Sequence, residues 1–250
     1  MTLPGDQVIL AAFLAFCRVG ACFMIMPGLS SARVPFQVRL FVAIGATFAI
    51  TVHLWDSLTP FVSREPAVLA GLVLSELLIG ALIGLVTRVY VLALQFVGAS
   101  IAMMTGYGNM VTGAVEENDA QAAITNLVTF SALMLLFIMN FHHDVVKALV
   151  NSYRVAPPDL LFNPGSALTD LVDTLGQSFM VMIQLGSPFI AYGIVVNLAV
   201  GLLNKLTPQI PIYFISLPFV LVGGLVLMYL GIGPLLRLFA DGFVPMTVGR

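Results

Sequence analysis

The chain has 250 residues, 60% of them hydrophobic and 9% charged, with a net charge of −2 and a mean hydropathy of +1.05. A soluble globular chain carries about 25% charged residues, so this one cannot cover its apolar surface and must bury it in lipid, in partner subunits or in both. Disorder is excluded by the same figures, and the lack of a basic cluster argues against nucleic acid as a partner. The composition predicts an all-α membrane domain.

The first apolar run, Val8 to Met26, approaches the ~20 residues a spanning helix needs. It lacks a basic leader and follows Asp6, so it is expected to stay in the mature protein. Arg18 sits in its middle. An unpaired Arg at a bilayer centre costs at least ~2.5 kcal/mol, so either Arg18 faces protein or water or the segment is not a conventional span. Cys17 and Cys22 have neither CxxC nor zinc spacing and read as small core residues. Pro27 and Gly28 stop the run. A link with Arg33 and two prolines leads to a second segment, Phe36 to Trp55, with Arg39 near its start.

Apolar character then persists from Ala67 to Thr105, broken by Glu76, Arg88 and Gln95. One helix of that length would measure roughly 60 Å, about twice a hydrocarbon core. It is therefore either a hairpin or a long helix leaving the membrane plane. Glu76, Gly80, Gly84 and Arg88 recur every fourth residue and share one helix stripe. Small residues on such a stripe admit another helix closely. Glu76 and Arg88 lie about 18 Å apart along the axis, so each needs a partner in another segment or subunit.

Gly106 to Asp119, GYGNMVTGAVEEND, gathers three glycines (Gly106, Gly108, Gly113) and three acids (Glu116, Glu117, Asp119) between apolar runs. It reads either as a solvated connector or as a gate lying in a conduit. Met103, Met104 and Met110 beside it are either core filling or a soft seal. A fourth segment covers Ala122 to Phe141. His142 and His143 follow, and as helix neighbours they point about 100° apart and cannot easily share a metal ion. The break Ala156 to Ser166 precedes a fifth segment, Leu168 to Leu203, which Ser166 or Thr169 is expected to cap. Gly186-Ser187-Pro188 is expected to kink or break it. The turn Asn204 to Pro211 carries Lys205, Pro208 and Gln209, and a sixth segment covers Ile212 to Leu236. Counting basic residues does not settle the orientation.

No HExxH, GxSxG or Walker-type motif occurs. No catalytic residue, cofactor site or metal site is expected. Ser100 has no histidine base nearby in sequence, which argues against an intramembrane hydrolase. A secondary transporter is the competing reading, because glycines and prolines interrupt segments five and six.

Three blocks carry a family resemblance. The first is Phe16-Cys17-Arg18-Val19 with Pro27, Pro35 and Arg39. The second is Glu76, Gly80 and Gly84, followed by Gln95, Gly98 and Gly106. The third is Gly201-Leu202-Leu203-Asn204-Lys205, leading to Pro208-Gln209, Phe214 and Pro218. Together they resemble the FliR family, the R-type subunit of the flagellar type III export gate, over essentially the whole chain. Lys205 stands where the family commonly has Arg, and Pro211 where Asn is common. Lys cannot fork bidentately, so a contact there would differ in detail.

The resemblance implies a P-like part, residues 1–160, fused to a Q-like part, residues 161–250. Both would lie in a helical, cone-shaped assembly with P-type and Q-type subunits, at the flagellar basal body of a bacterial inner membrane. It implies subunit contacts at Arg18, Arg39, Glu76, Gly80, Gly84, Arg88, Lys205, Pro208 and Gln209, with Lys205 to Gln209 facing the B-type switch protein. A plug is implied at Gly106, Gly108, Asn109, Met110, Gly113, Glu116 and Glu117, with Met103 and Met104 near the seal. The implied role is a non-enzymatic conduit for unfolded flagellar proteins in transit, driven from outside this chain.

Overall fold

A computed structural model describes residues 5–31, 34–54, 65–106, 119–158 and 162–248. Among these the chain forms α-helices and no strand, in the order α1 (Gly5–Ile25), α2 (Phe36–His53), α3 (Pro66–Met104), α4 (Asp119–Ile138), α5 (Phe141–Val155), α6 (Pro164–Leu206) and α7 (Ile212–Val248). The composition predicted an all-α chain, and the fold is one.

The link from α1 to α2 is tight. Gly28 takes φ +89°, a conformation costly for residues with a Cβ, and lets the chain leave α1. Arg39 reaches back from α2, donating from Nε and Nη2 to the Val34 carbonyl at 3.1 and 2.8 Å and from Nη2 to the Ser31 carbonyl.

The long apolar run is one uninterrupted helix, α3, not a hairpin. Its buried positions include a series in three- and four-residue steps, through Leu72, Glu76, Gly80, Gly84, Thr87, Tyr90, Leu94, Val97 and Ile101 to Thr105. A stripe with helical period keeps one face against neighbours along the whole element. The helix stops at Gly106, which takes φ +86°. Gly106 thus terminates α3. Gly108, Asn109, Met110, Gly113, Glu116 and Glu117 lie outside the described residues.

The fourth apolar run does not continue as one helix. Asn140, between α4 and α5, adopts φ +61° and interrupts the helix. Asn tolerates this left-handed conformation better than most residues. The sequence did not anticipate α5. Its inner face is Phe141, Val145, Leu149 and Tyr153, all buried at four-residue spacing.

α6 starts earlier than expected. Asn163, not Ser166 or Thr169, caps it, its Oδ1 accepting from the Gly165 amide at 3.0 Å. The Ser166 and Thr169 hydroxyls donate to backbone carbonyls instead. α6 also runs unbroken through Pro188. Proline removes the amide that would have bonded the Gln184 carbonyl, and the Ser187 hydroxyl donates to that oxygen at 3.0 Å. α7 runs through Pro218 and Pro234 and on past Leu236 to Val248.

The helices pack as two compact units that interleave along the chain. One comprises Met1–Val89, Asn140–Leu175 and Val244–Arg250, the other Tyr90–Met139 and Gly176–Phe243. This division by packing differs from the division at residue 160 that the family resemblance implies. In the first unit α1 packs on α2, and Leu14, Phe23, Ile79, Phe141 and Leu149 are buried. In the second, Leu94, Ile101, Leu136, Phe189 and Phe239 are buried.

Glycine sets the closest approach in the first unit. A Cβ on Gly80 would overlap the Arg18 carbonyl, and one on Gly84 would sit 2.8 Å from the Cys22 carbonyl oxygen. Both obstacles are backbone and cannot rotate away. Overpacking costs ~1–3 kcal/mol, so Gly80→Ala should raise local opening roughly tenfold or more. Maleimide labelling of buried Cys17 and Cys22 in membranes measures this. Gly71→Ala, whose Cβ meets nothing within 4 Å, should label like the parent.

Candidate functional site: a buried ion pair and the root of the central segment

Two constellations stand out, one in each unit. In the first, Arg18 of α1 and Glu76 of α3 form a forked ion pair. Arg18 Nε donates to Glu76 Oε2 at 2.6 Å, and Nη2 donates to Oε1 at 2.8 Å. The two side chains are 0% and 1% exposed. α5 completes the shell. Arg18 Nη2 donates to the Ala156 carbonyl at 2.9 Å, and Nη1 to Ser152 Oγ at 3.0 Å. The guanidinium also lies 3.8 Å from the Tyr153 ring centroid, while the Tyr153 hydroxyl donates to Glu76 Oε2 at 3.4 Å.

This arrangement satisfies a buried guanidinium almost completely, as a buried charge requires. Its polar groups are engaged with one another. What it can do is fix α1, α3 and α5 in one mutual register. Sequence reasoning found Arg18 and Glu76 but missed Ser152, Tyr153 and Ala156. The signal that would have found Tyr153 is the four-residue apolar stripe of α5.

The second constellation surrounds the end of α3. Met104 packs where a Gly193 Cβ would sit, 2.5 Å from its Sδ. Thr105, buried, fills the space a Cβ on Gly224 would take, and Gly106 lies against Val220. Tyr192 of α6 ties to α7, its hydroxyl donating to the Val220 carbonyl at 2.7 Å. Met103 instead projects outward, 57% exposed.

The residues expected at subunit contacts divide into three groups. Arg18, Glu76, Gly80 and Gly84 meet inside the chain, because the charges need each other in a dry site and the glycines admit α1. Glu76 thus finds its partner in another segment of the same chain. Arg39 is engaged by its own turn. Arg88, Lys205, Pro208 and Gln209 are exposed. Pro208 and Gln209 are the central residues of a turn closed by the Ile210 amide on the Thr207 carbonyl at 3.1 Å, a position proline's fixed φ suits.

His142 and His143 stack at the start of α5, ring centroids 4.3 Å apart. Among the described residues no cluster of His, Cys, Asp or Glu could hold a metal ion. Ser100 donates to the Phe96 carbonyl of its own helix at 2.9 Å, as a packing residue does.

Breaking the pair from one side leaves a buried charge, which costs about 3–5 kcal/mol, whereas replacing both partners by apolar groups is close to neutral. Glu76→Ala should therefore collapse the amount of folded chain in membranes. Arg18→Met with Glu76→Leu should restore most of it, read as resistance to limited proteolysis.

Comparison with known sequences places these features in a lineage. The profile of bacterial export proteins, family 1, matches residues 9–246. The flagellar biosynthetic protein FliR of Caulobacter vibrioides is 30% identical over 237 residues, covering 95% of this chain and 94% of that protein. The protein of the same name from Escherichia coli is 29% identical over 221 residues, covering 86% and 82%. The one from Bacillus subtilis is 23% identical over 218 residues, covering 83% and 80%.

Proposed function

The chain belongs to the family of bacterial export proteins, family 1, and on that premise we propose that it is a component of the flagellar protein export gate in the bacterial inner membrane. One observation of the fold carries this reading. Among the described residues five helices are long and apolar enough to cross a membrane, yet in an 18-residue apolar window of the Ile212–Gly242 stretch of α7 only 6% of residues are buried by the chain itself, against 50% for Val8–Ile25 of α1. A chain that leaves so much apolar helix uncovered is built to be completed by lipid and neighbouring subunits.

The neighbours in this reading are P-type and Q-type gate subunits. The first 160 residues are P-like and the remainder Q-like. Arg88, exposed on α3, supplies one contact to a neighbour. The exposed turn with Lys205, Pro208 and Gln209 faces the B-type switch protein. Residues 106–119 plug a conduit through which unfolded flagellar proteins pass, with Met103 and Met104 beside the seal. The chain itself catalyses nothing and holds no cofactor.

The transporter alternative drew its support from broken helices. α6 and α7 are continuous through Pro188, Pro218 and Pro234, so the two helices on which that alternative rested supply no half-helix ends to hold a small solute.

Deleting residues 108–117 should leave a gate that assembles fully but conducts ions, read as membrane depolarisation in cells carrying the deletion. A fully assembled deletion mutant with a tight membrane would sink the plug reading. A purified chain that binds a small solute without any partner would favour the transporter.

A further inference from the structure

We infer that the α6–α7 hairpin is the seat that positions the end of α3, with Gly193 and Gly224 as the positioning residues and Tyr192 as the tie between the two helices. The functional consequence rests on the plug reading of the segment that follows α3. The seat itself consists of described residues within one compact unit.

The two glycines are not equivalent to the many others in these helices. Gly201, also in α6, has nothing within 4 Å of a would-be Cβ. Gly193 and Gly224 are both buried, and each receives one side chain of α3's last turn. Gly193 receives Met104, with would-be contacts of 2.5 Å to Sδ and 3.0 Å to Cβ. Gly224 receives Thr105, where a new Cβ would overlap the Thr105 Cβ and stand 3.1 Å from its Cα.

The chemistry of the two receptors ranks them. A thioether end is flexible and moves aside at low cost. A β-branched carbon next to the backbone cannot, because χ1 rotation does not displace Cβ. The Thr105 hydroxyl is also fixed, donating to the Ile101 carbonyl at 2.7 Å. A side chain at position 224 therefore has to push the backbone at Thr105 and Gly106. Gly106 in turn rests on Val220, whose carbonyl holds the Tyr192 hydroxyl. A Cβ on Gly223 would come within 2.5 Å of that same hydroxyl. The tie and the seat thus share one short stretch of α7, Val220 to Gly224. Where the hairpin goes at this level, the end of α3 goes with it.

The test uses the full chain in membranes of cells assembling the complete gate, with Cys17 and Cys22 replaced by Ala. Met104→Cys with Gly193→Cys starts with two Cβ atoms 3.0 Å apart, a separation that has to open by about half an ångström to reach the ~3.5–4.5 Å of a disulfide. Mild oxidation should protect both thiols from a mass-tagged maleimide, and unprotected thiols in an assembled gate would overturn the seat. Gly224→Ala should depolarise the membrane as the 108–117 deletion does, Gly193→Ala less so, and Gly201→Ala not at all. Thr105→Gly, which removes the obstructing carbon, should restore a tight membrane in the Gly224→Ala chain. Equal leakage from Gly201→Ala, or no rescue by Thr105→Gly, overturns the positioning role. If the deletion itself does not leak, the plug reading fails, and the disulfide still decides whether the hairpin seats α3. If Gly224→Ala prevents assembly, recovery of assembly by Thr105→Gly supports the seat and its absence overturns it.

Discussion

A guanidinium and a carboxylate closed off from water are the constraint on which the first unit depends. Arg18 cannot be left alone in an apolar helix, and Glu76 cannot be left alone in another. Their pairing requires α1 and α3 to approach until Gly80 lies against the Arg18 carbonyl. It also requires α5 to bring Ser152, Tyr153 and the Ala156 carbonyl to the donors that Glu76 leaves over. A buried pair of this kind gains little over apolar residues of similar volume. Its larger effect is on alternatives. Sliding α1 by one turn, ~5.4 Å, would separate the charges and set the α1 backbone against an α3 side chain in place of a glycine. The pair and the glycine thus penalise the same wrong register independently.

The second unit uses glycine differently. At Gly80 and Gly84 the missing Cβ admits backbone, so one helix comes close to another. At Gly193 and Gly224 it admits side chains of an arriving helix end. At Gly106 the requirement is conformational, a positive φ that ends α3. Prolines show the same economy of local repair. The Gln184 carbonyl, deprived of a partner by Pro188, takes the Ser187 hydroxyl, and α6 carries on. In this chain glycine and proline mark close contact and repaired helix more than flexibility.

That explains what the sequence made legible and what it did not. Helix existence follows from apolar runs, and six segments were readable because their hydrophobic stretches are long. The need to satisfy Arg18 and Glu76 was readable from the cost of burying charge, but their mutual pairing was not. Separation along the chain says nothing about which helices meet, and a family in which subunits interlock made an external partner the natural expectation. The helix ends were misjudged wherever a side chain repaired the backbone, at Asn163 and at Ser187. α5 was missed because its polar residues, His143, Asp144, Lys147 and Arg154, hide an apolar stripe of four residues. The seat of Met104 and Thr105 had no sequence signal, since a functional glycine and an idle one such as Gly201 look alike until a neighbour is placed beside them.

The uneven covering of the helices bears on what surrounds the chain. α1 is half buried by its own chain and carries a charge that its own chain satisfies. α7 is much less covered, and its exposed positions include the apolar Phe214, Phe219, Val222 and Leu230. Lipid alone would serve such a helix. Lipid alone would not serve the exposed face of α3, where Arg88 stands between exposed Leu85 and Leu92 with no hydrogen bond or ion pair among the described residues. A cation flanked by leucines on a long apolar helix is stable where its head reaches water or an acidic group. The face of α3 around Arg88 therefore belongs against a neighbour's polar surface or at an aqueous boundary. Among the described residues Arg18 and Glu76 satisfy each other's charge, whereas Arg88 is left to groups outside them.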